Sequence, residues 1–137
     1  MEKQEHEALL KIARMAVEGA YSVYSRFSVG AAVLLENGEV VRGANQENMA
    51  YPSGLCAERV ALFYACSTYP GVAVTGVAVA ARDASGAWAS ITPCGACRQV
   101  MAEVIRRYGR DFDVILADGE GYKVVRASDL LPFPFGM

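Results

Sequence analysis

Apolar residues recur at helical spacing through residues 4–20, where Leu9, Leu10, Ile12, Ala13, Ala16 and Val17 mark one face of an amphipathic helix, and Gly19 weakens its end. The pattern then changes. Residues 29–35 read as a strand, Asn37-Gly38 is a strong hairpin signal, and residues 39–43 form the returning strand. A loop over 45–55 carries Pro52, Ser53 and Gly54, and a helix follows over 56–67. Residues 72–81 are mostly apolar, as expected of a strand buried on both faces. A polar loop over 82–92 leads to Pro93, which suits the first position of a helix running to Tyr108 and stopped by Gly109. Strands are expected at 114–117 and 123–126 around an Asp118-Gly119 turn, and Ser128-Asp129 can cap one helical turn before Pro132. Strand–helix–strand alternation predicts an α/β fold with helices on both faces of a mixed sheet.

The chain of 137 residues suits one domain, residues 1–137, with a real core. A hydrophobic fraction of 53% leaves room for apolar surface buried between subunits. The net charge of −2 and the absence of a Lys/Arg run argue against a nucleic acid polymer as partner. Met1 to Glu5 lack the apolar stretch of a signal peptide, and no segment is long enough to span a bilayer. The expected setting is the cytoplasm, with no membrane partner, where the four cysteines stay reduced.

Three of those cysteines carry the chemistry. Cys94 and Cys97 are three apart at a helix start, and Cys56 opens a separate helix. Helix N-termini favour thiolates, and three thiolates bind one zinc ion while leaving a fourth position for water. Glu58 offers a carboxylate beside that position that need not bind the metal. The two-residue spacing from Cys56 to Glu58 works at a helix entrance, where the first residue points past the end. Arg59 is a cation able to donate to the thiolates and offset their charge. A closed, structural site would need Cys66 or His6 as fourth ligand. Cys66 reads as a small buried hydrophobe and His6 as a surface residue near a frayed end. Trp88, in the polar loop, has no assigned role, and packing at a surface or interface is the expectation for it.

With these residues in place, the chain resembles the homotetrameric cytidine deaminases. The resemblance rests on Tyr24-Ser25-Arg26-Phe27-Ser28-Val29-Gly30-Ala31-Ala32, Gly43-Ala44-Asn45-Gln46-Glu47-Asn48, Cys56-Ala57-Glu58-Arg59, Pro93-Cys94-Gly95-Ala96-Cys97-Arg98-Gln99 and Leu130-Leu131-Pro132. It implies a three-layer αβα sandwich around a five-stranded mixed sheet. It implies one zinc ion per chain on Cys56, Cys94 and Cys97, with Glu58 as proton shuttle in the hydrolytic deamination of cytidine and 2′-deoxycytidine, a salvage reaction. It also implies that Phe27 stacks on the base, that backbone at Ala57 and near Thr92 holds the pyrimidine, and that Asn45 and Glu47 hold the ribose hydroxyls. Tyr51 and Phe135 would complete pockets shared between subunits of a homotetramer. Val23 and Gln46 depart from the family's usual residues. Three other readings stay open: a deaminase of a modified cytosine nucleoside such as a nucleoside antibiotic, a polynucleotide-editing protein, and a non-catalytic zinc domain.

Overall fold

Small residues on neighbouring strands let helices approach both faces of one sheet. The computed structural model describes residues 1–136. The main elements are helices α1 (Lys3–Ala16), α2 (Ala57–Thr68) and α3 (Gly95–Tyr108). The strands are β1 (Ser28–Leu35), β2 (Val40–Ala44), β3 (Val74–Arg82), β4 (Trp88–Ala89), β5 (Asp113–Asp118) and β6 (Gly121–Arg126). Five strands run in the order β2-β1-β3-β5-β6, and the two-residue β4 pairs with the end of β3. Only β3 and β5, joined through α3, are parallel; every other pair is antiparallel. This is the expected α/β architecture.

Alternation within β1 sorts the core into two layers. Val29, Ala31, Val33 and Leu35 face α2 and α3, packing with Ala61, Leu62, Ala65, Met101 and Val104. Ala32 faces the other way, where Ala78, Ala80, Ile115 and Ala117 meet Leu9, Leu10 and Ala13 of α1. A layer of α1, a sheet, and a layer of α2 and α3 make three in all. Gly30 permits the closest approach: a Cβ there would sit 2.2 Å from the Ala13 carbonyl oxygen and 2.7 Å from the Val17 nitrogen. Gly43 does the same for α2, where a Cβ would lie 2.7 Å from the Ala61 nitrogen.

Several boundaries differ from the sequence expectation. The first helix stops at Ala16 and tightens into a 3-10 turn over Val17–Gly19, because Ala20 takes an extended backbone that leads the chain off the helix. The third strand begins at Val74, after a turn in which Gly71 adopts φ 82° and the Val72 N–H bonds the Tyr69 carbonyl. The 82–92 loop contains β4, paired to Ala81 and Arg82. Trp88 there lies between two guanidinium groups, 5.5 Å from Arg14 and 5.6 Å from Arg82, so its packing is cation–π. His6 is held, not frayed: its Nε2 lies 3.0 Å from Asp113 Oδ2, across on β5. Cys66 is half-buried against the core. Pro93 is not the first helical residue. Cys94 is the N-cap, with extended backbone, and Pro93 lies buried before it, its carbonyl accepting from Arg98 Nε at 2.8 Å. Among the described residues no helix is long and apolar enough to cross a membrane.

Candidate active site

Both helices that carry cysteines begin with one. Cys56 is the N-cap of α2 and Cys94 the N-cap of α3, each with φ near −70° and an extended ψ. A cap residue directs its side chain past the helix end, toward N–H groups that lack carbonyl partners. Cys97, in the first turn of α3, comes from the same end. The two helices dock side by side on one sheet face, so the three sulfurs converge. Cys56 Sγ is 3.6 Å from Cys94 Sγ, and Cys94 Sγ is 3.6 Å from Cys97 Sγ. All three lie within 4.8 Å of one another. Tetrahedral zinc with sulfur at about 2.3 Å sets its sulfurs about 3.8 Å apart, so the donor set and its spacing fit that ion.

The electrostatics of the cluster are uneven. The Cys56 thiol is pulled down to about 5 by its hydrogen bond with Cys97, helped by Arg59 and Cys94. Cys97 is pushed up, by that same bond, by burial and by the charge of Glu58. Arg59 Nη2 donates to Cys56 Sγ at 3.3 Å, and this contact holds its guanidinium charged. Glu58 is 3% exposed, in the first turn of α2. Burial raises its pKa, and the negative charge on Cys56 adds to the effect.

A cleft of about 390 Å³ reaches the cluster at Cys56 and is lined also by Arg59, Asn45, Glu47, Tyr24 and Tyr51. Asn45 is buried, and its amide is already engaged: Oδ1 accepts from Val29 N–H and Nδ2 donates to the Phe27 carbonyl, both at 2.9 Å. Glu47 Oε1 accepts from the N–H groups of Tyr24, at 3.0 Å, and Ser25, at 3.1 Å, and its Oε2 accepts from the Ser25 hydroxyl. The Ser25 hydroxyl above all keeps the Glu47 carboxyl below the usual range. Phe27 is half-buried against the main core and is not among the residues lining the cleft. Ala57 is fully buried at the start of α2, while Tyr51 and Phe135 are 81% and 86% exposed. The structure thus brings Cys56, Cys94, Cys97, Glu58 and Arg59 together, sets Asn45 and Glu47 along the adjoining cleft, and leaves Phe135 on the surface.

Three supporting residues escaped the sequence reading although each lies in a motif it used. Ser25 holds Glu47. Arg98 Nη1 bonds the Leu130 carbonyl at 3.0 Å, tying the segment before α3 to the C-terminal turn. Gln99 bonds the backbone of Phe135 on both sides, at 3.0 and 3.2 Å. A polar side chain without chemistry of its own gives no signal until its partner is known.

Residues 3–108 match the family model for the cytidine and deoxycytidylate deaminase zinc-binding region. The chain belongs to this family. It is 45% identical to a cytidine deaminase of Halalkalibacterium halodurans over 134 residues, covering 96% of this chain and 94% of the relative. It is 40% identical to a cytidine deaminase of Mycobacterium tuberculosis, covering 91% and 85% of the two chains. Among solved structures, a cytidine deaminase from Burkholderia pseudomallei superposes with a TM-score of 0.81 at 41% identity, covering 95% of this chain and 98% of that one. As a member of the family the protein is a zinc-binding deaminase-type hydrolase, and its three-cysteine cluster is where one zinc ion per chain fits. The fold is the one these structures share.

Proposed function

We propose that this chain hydrolyses the exocyclic amine of cytidine and 2′-deoxycytidine, giving uridine or 2′-deoxyuridine and ammonia. The observation that carries this reading is the buried carboxyl of Glu58 interacting with the three-cysteine cluster, whose Cys56 lines a cleft that also holds Asn45 and Glu47. The nucleoside deaminase relatives support the same substrate class. No residue of the cleft favours a modified cytosine compound over the ordinary nucleoside.

Cys56, Cys94 and Cys97 would hold the zinc ion, which would supply a Lewis acid that lowers the pKa of water so that it can lose a proton near neutral pH. The remaining work falls to the chain itself. Glu58 takes one proton from the attacking water and delivers it to ring N3 as the new C4–O bond forms. The second proton of that water passes to the amino nitrogen by way of the same carboxyl. The C4–N bond then breaks, ammonia leaves, and C4–O becomes the carbonyl, with N3 keeping its hydrogen. Arg59 offsets the negative charge of the thiolates. The N-terminus of α2 at Ala57 and the backbone near Thr92 hold the pyrimidine, while Phe27, outside the cleft lining of this chain, is assigned the base face by its motif alone. Asn45 and Glu47 meet the sugar hydroxyls. A carboxylate at the sugar repels a 5′-phosphate, so free nucleosides are preferred over nucleotides and polynucleotides.

The exposed side chains of Tyr51, Phe133 and Phe135 support a homotetramer in which neighbouring subunits complete each pocket. We place this enzyme in the cytoplasm, in pyrimidine salvage. An ultraviolet assay with cytidine, 2′-deoxycytidine, cytosine and cytidine monophosphate, run beside zinc analysis, tests the reading. Ammonia release from the two nucleosides is expected. No release from any cytosine nucleoside by zinc-loaded protein refutes it.

A further inference from the structure

The carboxylate of Glu47 enters the cleft with most of its hydrogen-bonding capacity spent. A carboxylate offers about four acceptor positions, two on each oxygen. The N–H groups of Tyr24 and Ser25 occupy both positions on Oε1. The Ser25 hydroxyl occupies one of the two on Oε2. The single free position is therefore on the same oxygen that Ser25 holds. Ser25 Oγ also accepts the Phe27 N–H at 3.0 Å and lies 3.5 Å from the Phe27 carbonyl, a far longer contact than the one it donates to Glu47. The loop is bent for this purpose at Arg26, which sits at φ 58°, a left-handed conformation uncommon for a residue with a Cβ. A bond from the Arg26 N–H to the Ser22 carbonyl, at 2.8 Å, closes the bend.

We propose that Ser25 is a positioning residue for substrate: its hydroxyl fixes the one free acceptor of Glu47 so that it meets a sugar hydroxyl. The inference rests on the reading of Glu47 as a sugar contact. Ser25 does not touch the reacting atoms, so it acts on binding and not on the chemical step. A hydrogen bond to a charged group whose loss frees a carboxylate to rotate corresponds to about a tenfold change in affinity.

The test is a double-mutant cycle on the zinc-loaded enzyme with cytidine as substrate. Ser25→Ala is expected to raise KM about tenfold and to leave kcat within about twofold. Ser25→Thr, which keeps the hydroxyl, is expected to restore KM to near the wild-type value. In a Glu47→Gln background, Ser25→Ala is expected to add almost nothing, since its effect passes through the carboxylate. Ser25→Cys, similar in size with a weak donor, is assayed in parallel, so that misfolding of the alanine variant does not decide the matter. A KM unchanged in both Ser25→Ala and Ser25→Cys, with KM raised in Glu47→Gln, overturns this inference and leaves the sugar contact standing. An unchanged KM in Glu47→Gln overturns the sugar contact itself, and the role of Ser25 with it. An equal effect of Ser25→Ala in both backgrounds, or a fall in kcat alone, also overturns it.

Discussion

Arg59 Nη2 lies 3.3 Å from Cys56 Sγ, one helical turn along α2 from the residue that caps it. The contact links the Cys56 thiol, itself pulled down to about 5, to a fixed positive charge. Removing the charge leaves three sulfurs to share a metal with less compensation. Arg59→Ala is expected to weaken zinc binding by about tenfold to a hundredfold, measured by chelator competition. Arg59→Lys restores less than a full partner, since one ammonium cannot reproduce the guanidinium fork.

Glu58→Gln separates chemistry from metal binding. Glutamine matches the size of the buried carboxyl but cannot carry a proton. The variant is expected to keep its zinc content and melting temperature while ammonia release falls by about a hundredfold or more. An equal loss of zinc and activity would show that Glu58 acts through the metal site instead.

Gly30→Ala tests the approach of α1 to the sheet. The added methyl meets backbone atoms of Ala13 and Val17, which cannot rotate away. The cost is expected at about 3 kcal/mol or more, read from the urea midpoint. Gly95→Ala, where nothing lies within 4 Å of the added carbon, is the matched control and is expected to be nearly neutral.

Asp113 ties the start of β5 to α1 and β6. Burial alone would raise its carboxyl. Hydrogen bonds from His6 and Arg126, with the Met1 ammonium at 3.6 Å, outweigh that and hold it below the usual range. A carboxyl lowered in the folded state adds stability that is present above its unfolded pKa, near 3.9, and is lost as pH falls through the folded value. Asp113→Asn is expected to cost about 2 kcal/mol at pH 7 and to flatten part of the loss of stability below about pH 4. Urea titrations from pH 3 to 7 check both. The depressed Asp111 carboxyl, bonded to Ser128, is one of the groups that keep part of the acid sensitivity in place.

The sheet and its helices were legible because each rests on a local pattern. Asn37-Gly38 marks its hairpin through a glycine at φ 89° and an asparagine that bonds the Glu39 N–H, and both causes lie within three residues. Cys56 and Glu58 could be placed at a helix entrance for a similar reason. The misses depend on partners far along the chain. His6 looked unanchored because Asp113 is 107 residues away. Trp88 looked idle because Arg14 and Arg82 meet it only in the folded sheet. Pro93 pointed to a helix start two positions too early, since α3 begins at Gly95, because proline preference says nothing of a thiol that takes the cap. Ser25 was hidden in plain sight inside a motif, since its partner Glu47 comes from the far end of the β1–β2 hairpin.

Helices α2 and α3 share one core layer on the sheet, where Ala61, Leu62 and Ala65 of α2 join the same cluster as Met101 and Val104 of α3. The sulfur cluster links their N-terminal ends, with Cys56 Sγ 3.6 Å from Cys94 Sγ. An ion seated there would rivet the two helix ends to each other, so loading the metal should raise the melting temperature and quiet amide exchange at both helix entrances together. The part of the molecule that does chemistry would then also be its clasp.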